Sequence, residues 1–121
     1  MNDLDKQARM LGELATIRES FLHRTRGELP LFFELLGRIQ AGDLTALVQL
    51  QSFAHRIHGS GATFNFARIS ESAGQIENLL QVLAGAPSAA AVDSDDLDRL
   101  VECGRQLALE IGAAPLRAIA S

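Results

Sequence analysis

One cysteine, one lysine, no tryptophan and no tyrosine stand in 121 residues, and the scarcities are informative. Cys103 alone closes no internal disulfide, and its apolar helical setting suits a small core or near-core side chain in a reducing compartment. Lys6 is the only lysine and the arginines are scattered, so no basic patch forms. With a net charge of -4, nucleic acid is not expected as the main partner. No apolar run approaches membrane-spanning length, and the N-terminus is too polar and charged for a signal peptide. The cytoplasm is therefore the expected location, with no membrane partner. β-branched residues are few and no period-two run appears, so strands are not expected.

What is present is helical periodicity almost throughout. Apolar residues make up 47% and charged residues 21%, the balance of one globular domain spanning residues 1–121. From about Asp5 to Gln40 the apolar positions Leu11, Leu14, Leu22, Leu29, Phe32, Phe33, Leu36 and Ile39 keep a common phase. Gly27 and Pro30 interrupt this segment; the held phase favours one helix kinked near residues 27–30 over the alternative of two helices. Ala41-Gly42-Asp43 then supplies a C-terminal glycine and an N-cap aspartate for a tight turn.

A second segment, about Leu44 to Thr63, carries the seam Leu47, Leu50, Ala54, Ile57, Gly61 and Phe64. Asn65 is the expected turn residue and cap of the next helix, because asparagine tolerates left-handed backbone. The third segment, about Phe66 to Leu83, repeats Ile69, Ala73, Ile76, Leu80 and Leu83. Residues 85–93 form the one loop-like stretch, with Asp93 or Ser94 as a cap. The last segment, about Asp95 to Ala114, uses Leu97, Leu100, Gly104, Leu107 and Ile111, and Pro115 is expected to end or bend it. Short connections between such segments predict an all-α, up-down antiparallel four-helix bundle, with room for an additional N-terminal helix. The six phenylalanines read mainly as core packing, although part of the dense Leu31-Phe32-Phe33 stretch could be exposed for docking.

The second segment also carries chemistry. At about 100° per residue His55 lies nearly opposite the buried seam. Val48, Gln51, Ser52, Gly59 and Ala62 share its face, one or two turns away, and are small or uncharged. Gly59, one turn on, offers no side chain to obstruct an incoming group, and a mid-helix glycine costs roughly 1 kcal/mol against alanine. A neutral imidazole is a competent nucleophile toward an activated phosphoryl group, and the phosphoramidate formed is labile enough to pass the group on. The surrounding face suits the docking of another protein.

His55-Arg56-Ile57-His58-Gly59-Ser60 resembles the His-x-Leu-Lys-Gly-Ser core of histidine phosphotransfer (HPt) domains. The likeness continues through Ala62-Thr63-Phe64-Asn65-Phe66 and reaches Ile76-Glu77, similar to the family's Leu-Glu on the next helix. It implies a phosphoryl carrier, not an enzyme, relaying a phosphoryl group between aspartates of response-regulator receiver domains. His55 would be the phosphorylated residue, at its outer ring nitrogen, and Gly59 the glycine that admits the receiver. The expected partners are receiver domains, a hybrid histidine kinase, or both, with the chain itself a monomer. Mg²⁺ would belong to the receiver, with no cofactor bound by this chain. The initial methionine and complete bundle favour a free-standing protein.

Two positions depart from the pattern. His58 replaces the family's lysine and is the candidate phosphoryl stabiliser. It carries charge only when protonated, so transfer is expected to depend on pH. Its bland alternative is a half-buried histidine bonded to a neighbour, about 60° round the helix from His55. Asn65 replaces a glycine, a mild change.

Glu77 could orient a neighbour across the bundle or simply be solvated. His55 and His58 could in principle hold a metal, but no third ligand lies on their helix face, so a metal site is not expected. His23, among arginines, reads as plain surface. Two other functional classes are compatible with the same residues. One is a non-catalytic helical adaptor that binds or sequesters a receiver or kinase, although an adaptor has no need of His55. The other is the phosphoacceptor domain of a chemotaxis-type kinase, labelled from ATP. No nucleotide-binding motif or glycine-rich phosphate loop is present.

Overall fold

The computed structural model describes residues 2–120, with side chains through residue 114. It contains four α-helices among the described residues: α1 (Asp3–Gln40), α2 (Leu47–Thr63), α3 (Ala67–Ala84) and α4 (Ser94–Ala120). Short 3₁₀ turns at Leu44–Ala46 and Ala89–Ala91 lie in the connections before α2 and α4. The up-down four-helix bundle expected from the periodicity is present, and no strand occurs among the described residues. No helix among them is long and apolar enough to cross a membrane.

The boundaries follow from local chemistry. Asn2 caps α1 by accepting from the Asp5 amide at 2.8 Å. Gly42 takes a φ of +94° after α1, and Asp43 accepts from the Thr45 amide at 3.1 Å to start the next segment. Asn65 takes a φ of 65°, and the Phe66 amide reaches back to the Gly61 carbonyl at 2.7 Å, closing α2 in a left-handed cap. Asn65 is thus the expected turn residue, but Phe66, not Asn65, is the N-cap of α3, and it makes no side-chain cap. Asp93 accepts from the Asp95 amide at 2.9 Å ahead of α4.

At Pro30 the one-helix reading holds, and at Pro115 the expected helix end does not. The first segment is neither two helices nor joined by an extra N-terminal one: α1 runs unbroken through Gly27 and Pro30. Pro30 is exposed, so the carbonyl it leaves unpaired four residues back lies on the solvent side. Nor does Pro115 end α4, which continues to Ala120. The carbonyl that Pro115 cannot serve is that of Ile111, and the Arg26 guanidinium donates to it at 3.5 Å.

The core is a stack of fully buried apolar side chains. Leu50 and Ile57 from α2 meet Ile76 and Leu80 from α3, and Phe32, Ile39, Leu100, Leu107 and Ile111 complete it from α1 and α4. Helices α2 and α3 pack most extensively. Gly61 explains their closeness, since a Cβ there would lie 3.1 Å from the Ser70 amide nitrogen. Ser70 returns a bond across the same seam, donating its hydroxyl to the His58 carbonyl at 2.8 Å. Because Ile57 is fully buried, truncating it to alanine costs about 2–5 kcal/mol. The outward face of α2 is therefore held by its inward one.

One part of the expected seam is not buried. Leu11 is 67% and Leu14 45% exposed, and every residue from 2 to 17 is exposed. The bundle begins at Arg18, whose Nε donates to the Phe64 carbonyl at 3.0 Å and whose guanidinium lies 4.6 Å over the Phe66 ring. Phe21 packs against both Phe64 and Phe66, sealing this end of the core. Phe32 is buried whereas Leu31 and Phe33 are exposed, so the Leu31-Phe32-Phe33 stretch is split between core and surface.

Candidate functional site

The outward face of α2 presents His55 with its side chain 81% exposed. Val48, Ser52, Gly59 and Ala62 are exposed along the same face, and Gln51 is half-buried beside them. The structure therefore brings together all five residues that the spacing placed around His55. Gln51, Ser52, His55, Glu77 and Gln81 line an open cleft of about 300 Å³ between α2 and α3.

Gly59 differs from the other glycines near the site. A Cβ built there meets nothing within 4 Å, so no internal packing demands glycine. The space it leaves opens outward, toward whatever approaches His55.

Glu77, on α3, ties the two histidines together. Its Oε2 lies 3.1 Å from His55 Nδ1 and its Oε1 lies 2.7 Å from His58 Nδ1. An ionised carboxylate only accepts, so each Nδ1 carries the proton and donates. For a neutral His55 ring this leaves the lone pair on Nε2, the nitrogen remote from Glu77. Burial of Glu77 opposes its charge, but the hydrogen bonds from His55 and His58 outweigh it and hold the carboxyl below the usual glutamate value. The negative charge is thus kept beside the imidazole that would have to accommodate positive charge during attack.

His58 is the more enclosed ring, with its side chain 50% exposed. It lies over Gly74 of α3: a Cβ at that glycine would sit 3.2 Å from His58 Nε2 and 3.3 Å from Cε1. The Nε2 of His58 therefore faces α3, whereas His55 stands in the open. Of the two histidines, His55 has the more accessible Nε2. Gly74 was not singled out in the sequence; the available signal was a glycine inside α3, and its facing residue could be found only across the groove.

Beyond the histidines, Arg56 turns toward α1, where it pairs with Glu28 and lies 5.4 Å over the Phe53 ring. Arg24 approaches the same Glu28 at 3.4 Å. Among the described residues no group of three histidine, cysteine or carboxylate side chains could hold a metal ion. Both Nδ1 atoms are committed to one carboxylate. Cys103 is partly buried on α4 and its thiol is pushed up by burial and by the neighbouring Glu102 charge, which disfavours the reactive thiolate.

A family model described as Hpt domain matches residues 9–114. The matched span contains α2, α3 and every residue named around His55. Neither the curated proteins nor the solved structures contain a match to the chain.

Proposed function

The chain belongs to the Hpt domain family, and on that premise we propose that it relays a phosphoryl group between aspartates of receiver domains through His55. Histidine phosphotransfer in a phosphorelay is the family's general role, and Hpt domains are phosphocarriers rather than kinases. The observation that supports this reading is the pairing of an 81% exposed His55 ring with a half-buried carboxylate, 18% exposed, on its inner nitrogen.

In the forward step His55 Nε2 attacks the phosphorus of a receiver's aspartyl phosphate. The Nε2–P bond forms as the P–O bond to the aspartate breaks, and the aspartate leaves as a free carboxylate. His55 keeps its Nδ1 proton, and the positive charge that develops on the ring is offset by Glu77. A second receiver reverses the sequence: its aspartate attacks the phosphorus and His55 departs as the neutral ring. Mg²⁺ is supplied by the receiver, and this chain contributes the nucleophile, its position and the neighbouring charge.

Docking uses Val48, Gln51, Ser52, Gly59 and Ala62 around His55, a face with little charge of its own. His58, at the family's lysine position, acts mainly through Glu77, to which its ring is bonded, so any help it gives the phosphoryl group is indirect. The function is exercised where the receivers are, in the cytoplasm.

The test is which donor labels the chain. Label arriving from a phosphorylated receiver supports the relay. Label arriving only from a kinase with ATP assigns the chain instead to a kinase's phosphoacceptor domain. Receiver binding without transfer makes it an adaptor.

A further inference from the structure

We propose that the N-terminal arm of α1 is a dimerisation element, pairing antiparallel with the same arm of a second copy. The proposal goes beyond phosphotransfer and does not rest on it.

The starting observation is an unfinished interface. Residues 3–17 of α1 are exposed throughout, a helical arm about 22 Å long projecting past the turn between α2 and α3. It is not a polar extension. Leu4 is 74% exposed, Met10 and Leu11 67%, Ile17 47% and Leu14 45%. A helix of this length gains its stability from packing an apolar face, and among the described residues this arm leaves its face exposed.

The phase of that face is informative. Of the seven positions that α1 buries in the bundle, Phe21, Thr25, Phe32, Leu35 and Ile39 follow heptad spacing, with Leu22 and Leu36 beside them. Extended backwards without a break, the same spacing runs through Arg18, Leu14, Leu11, Gln7 and Leu4. The arm thus presents the side that α1 buries in the bundle, continued beyond the point where α2 and α3 stop. What belongs against it is another helix.

A second copy fits in one direction. A parallel arm laid on this face would run on into the bundle's own end, where Phe21, Phe64 and Phe66 are packed. An antiparallel arm runs out of the way. It is also in register with itself: Leu4, Gln7, Leu11 and Leu14 are spaced three, four and three, an order that reads the same backwards. Leu4 then meets Leu14 of the other copy and Gln7 meets Leu11, with Met10 and Ile17 flanking. This is a self-complementary contact about a two-fold axis.

Charge does not oppose it. Asp3, Asp5 and Glu13 are interspersed with Lys6 and Arg9. Five large exposed apolar side chains per copy bury on the order of 1,000 Å² in total, the floor for specific association. His55 is on α2, about two turns before the end of the helix that the arm projects past. The family resemblance had suggested a monomer; the exposed arm favours a pair.

The test is sedimentation equilibrium across micromolar concentrations, with circular dichroism to check folding. The wild-type chain should reach twice its 13.0 kDa mass. The double variant Leu11→Glu/Leu14→Glu should remain at one chain mass, folded, and still accept phosphoryl at His55. A wild-type monomer at every concentration overturns the proposal, as does a dimer that survives in the double variant. Direction is read by oxidative cross-linking in a Cys103→Ser background. Leu4→Cys/Leu14→Cys should give a covalent dimer, because within one chain these positions are about 15 Å apart and cannot close a disulfide. Leu4→Cys alone should not cross-link, and efficient self-linking at that position would contradict antiparallel pairing.

Discussion

Glu77 and His55 face each other from α3 and α2 with Oε2 and Nδ1 3.1 Å apart, and the second oxygen of the same carboxylate holds His58 at 2.7 Å. One side chain thus fixes two rings, and on His55 it directs the lone pair to the outer nitrogen. Replacing Glu77 with glutamine keeps the shape and removes the charge. A charge-assisted hydrogen bond exceeds a neutral one by about 1.4 kcal/mol, which corresponds to roughly a tenfold slower transfer to His55. Receiver-to-chain transfer kinetics for Glu77→Gln, beside an affinity measurement for the receiver, check this. An unchanged rate would remove Glu77 from the account, and weakened affinity with an unchanged rate would give it a docking role instead.

Gly59 separates folding from function. Its Cβ site is empty to 4 Å, so Gly59→Ala should fold normally and gain up to about 1 kcal/mol of helix stability. The added methyl projects onto the proposed docking face, so transfer should slow. Thermal unfolding and transfer assays on the same preparation read the two effects in opposite directions.

Gly74 and His58 are matched in size. A side chain at position 74 starts 3.2 Å from His58 Nε2, and Gly74→Val should push the ring off Glu77. Nitrogen NMR of the wild type should show Nδ1 protonated on both His55 and His58, and in Gly74→Val only the His58 signals should lose that signature. If His58 retains its Nδ1 proton and its coupling to the carboxylate, the close approach has been absorbed elsewhere.

Acid should weaken the site in a defined direction. The Glu77 carboxyl is held below its ordinary value because the bonds from His55 and His58 outweigh its burial. Its contribution to stability is therefore complete above the ordinary glutamate value and is lost as pH falls through the lower folded value. The stability difference between wild type and Glu77→Gln, measured by denaturant titration, should shrink as pH is lowered below that range. A difference that grows with acidity would contradict the assignment.

Much of this was legible from residue spacing, because one-sided patterns are local. The Ala54, Ile57 and Gly61 seam and the opposite His55 face are set by turns of a single helix, and both appear as expected. The turns at Gly42 and Asn65 were marked by residues that tolerate positive φ. Spacing could not reveal which neighbours exist. Leu11 and Leu14 share the phase of the core, but among the described residues both stand exposed. Pro115 carries a helix-ending signal, yet Arg26, distant in sequence, supplies a donor for the carbonyl it leaves free. The bridge from Glu77 to both histidines likewise joins residues 22 and 19 positions apart, beyond the reach of any local pattern.

The most direct test of the central claim is to mix the chain with a phosphorylated receiver domain and Mg²⁺, beside a His55→Gln variant, and follow the label on a phosphate-affinity gel. The account predicts acid-labile label on the wild type and none on His55→Gln, with the variant still folded and still binding the receiver. Label that persists on His55→Gln, or that proves stable to acid on the wild type, would place the phosphoryl group elsewhere and contradict it.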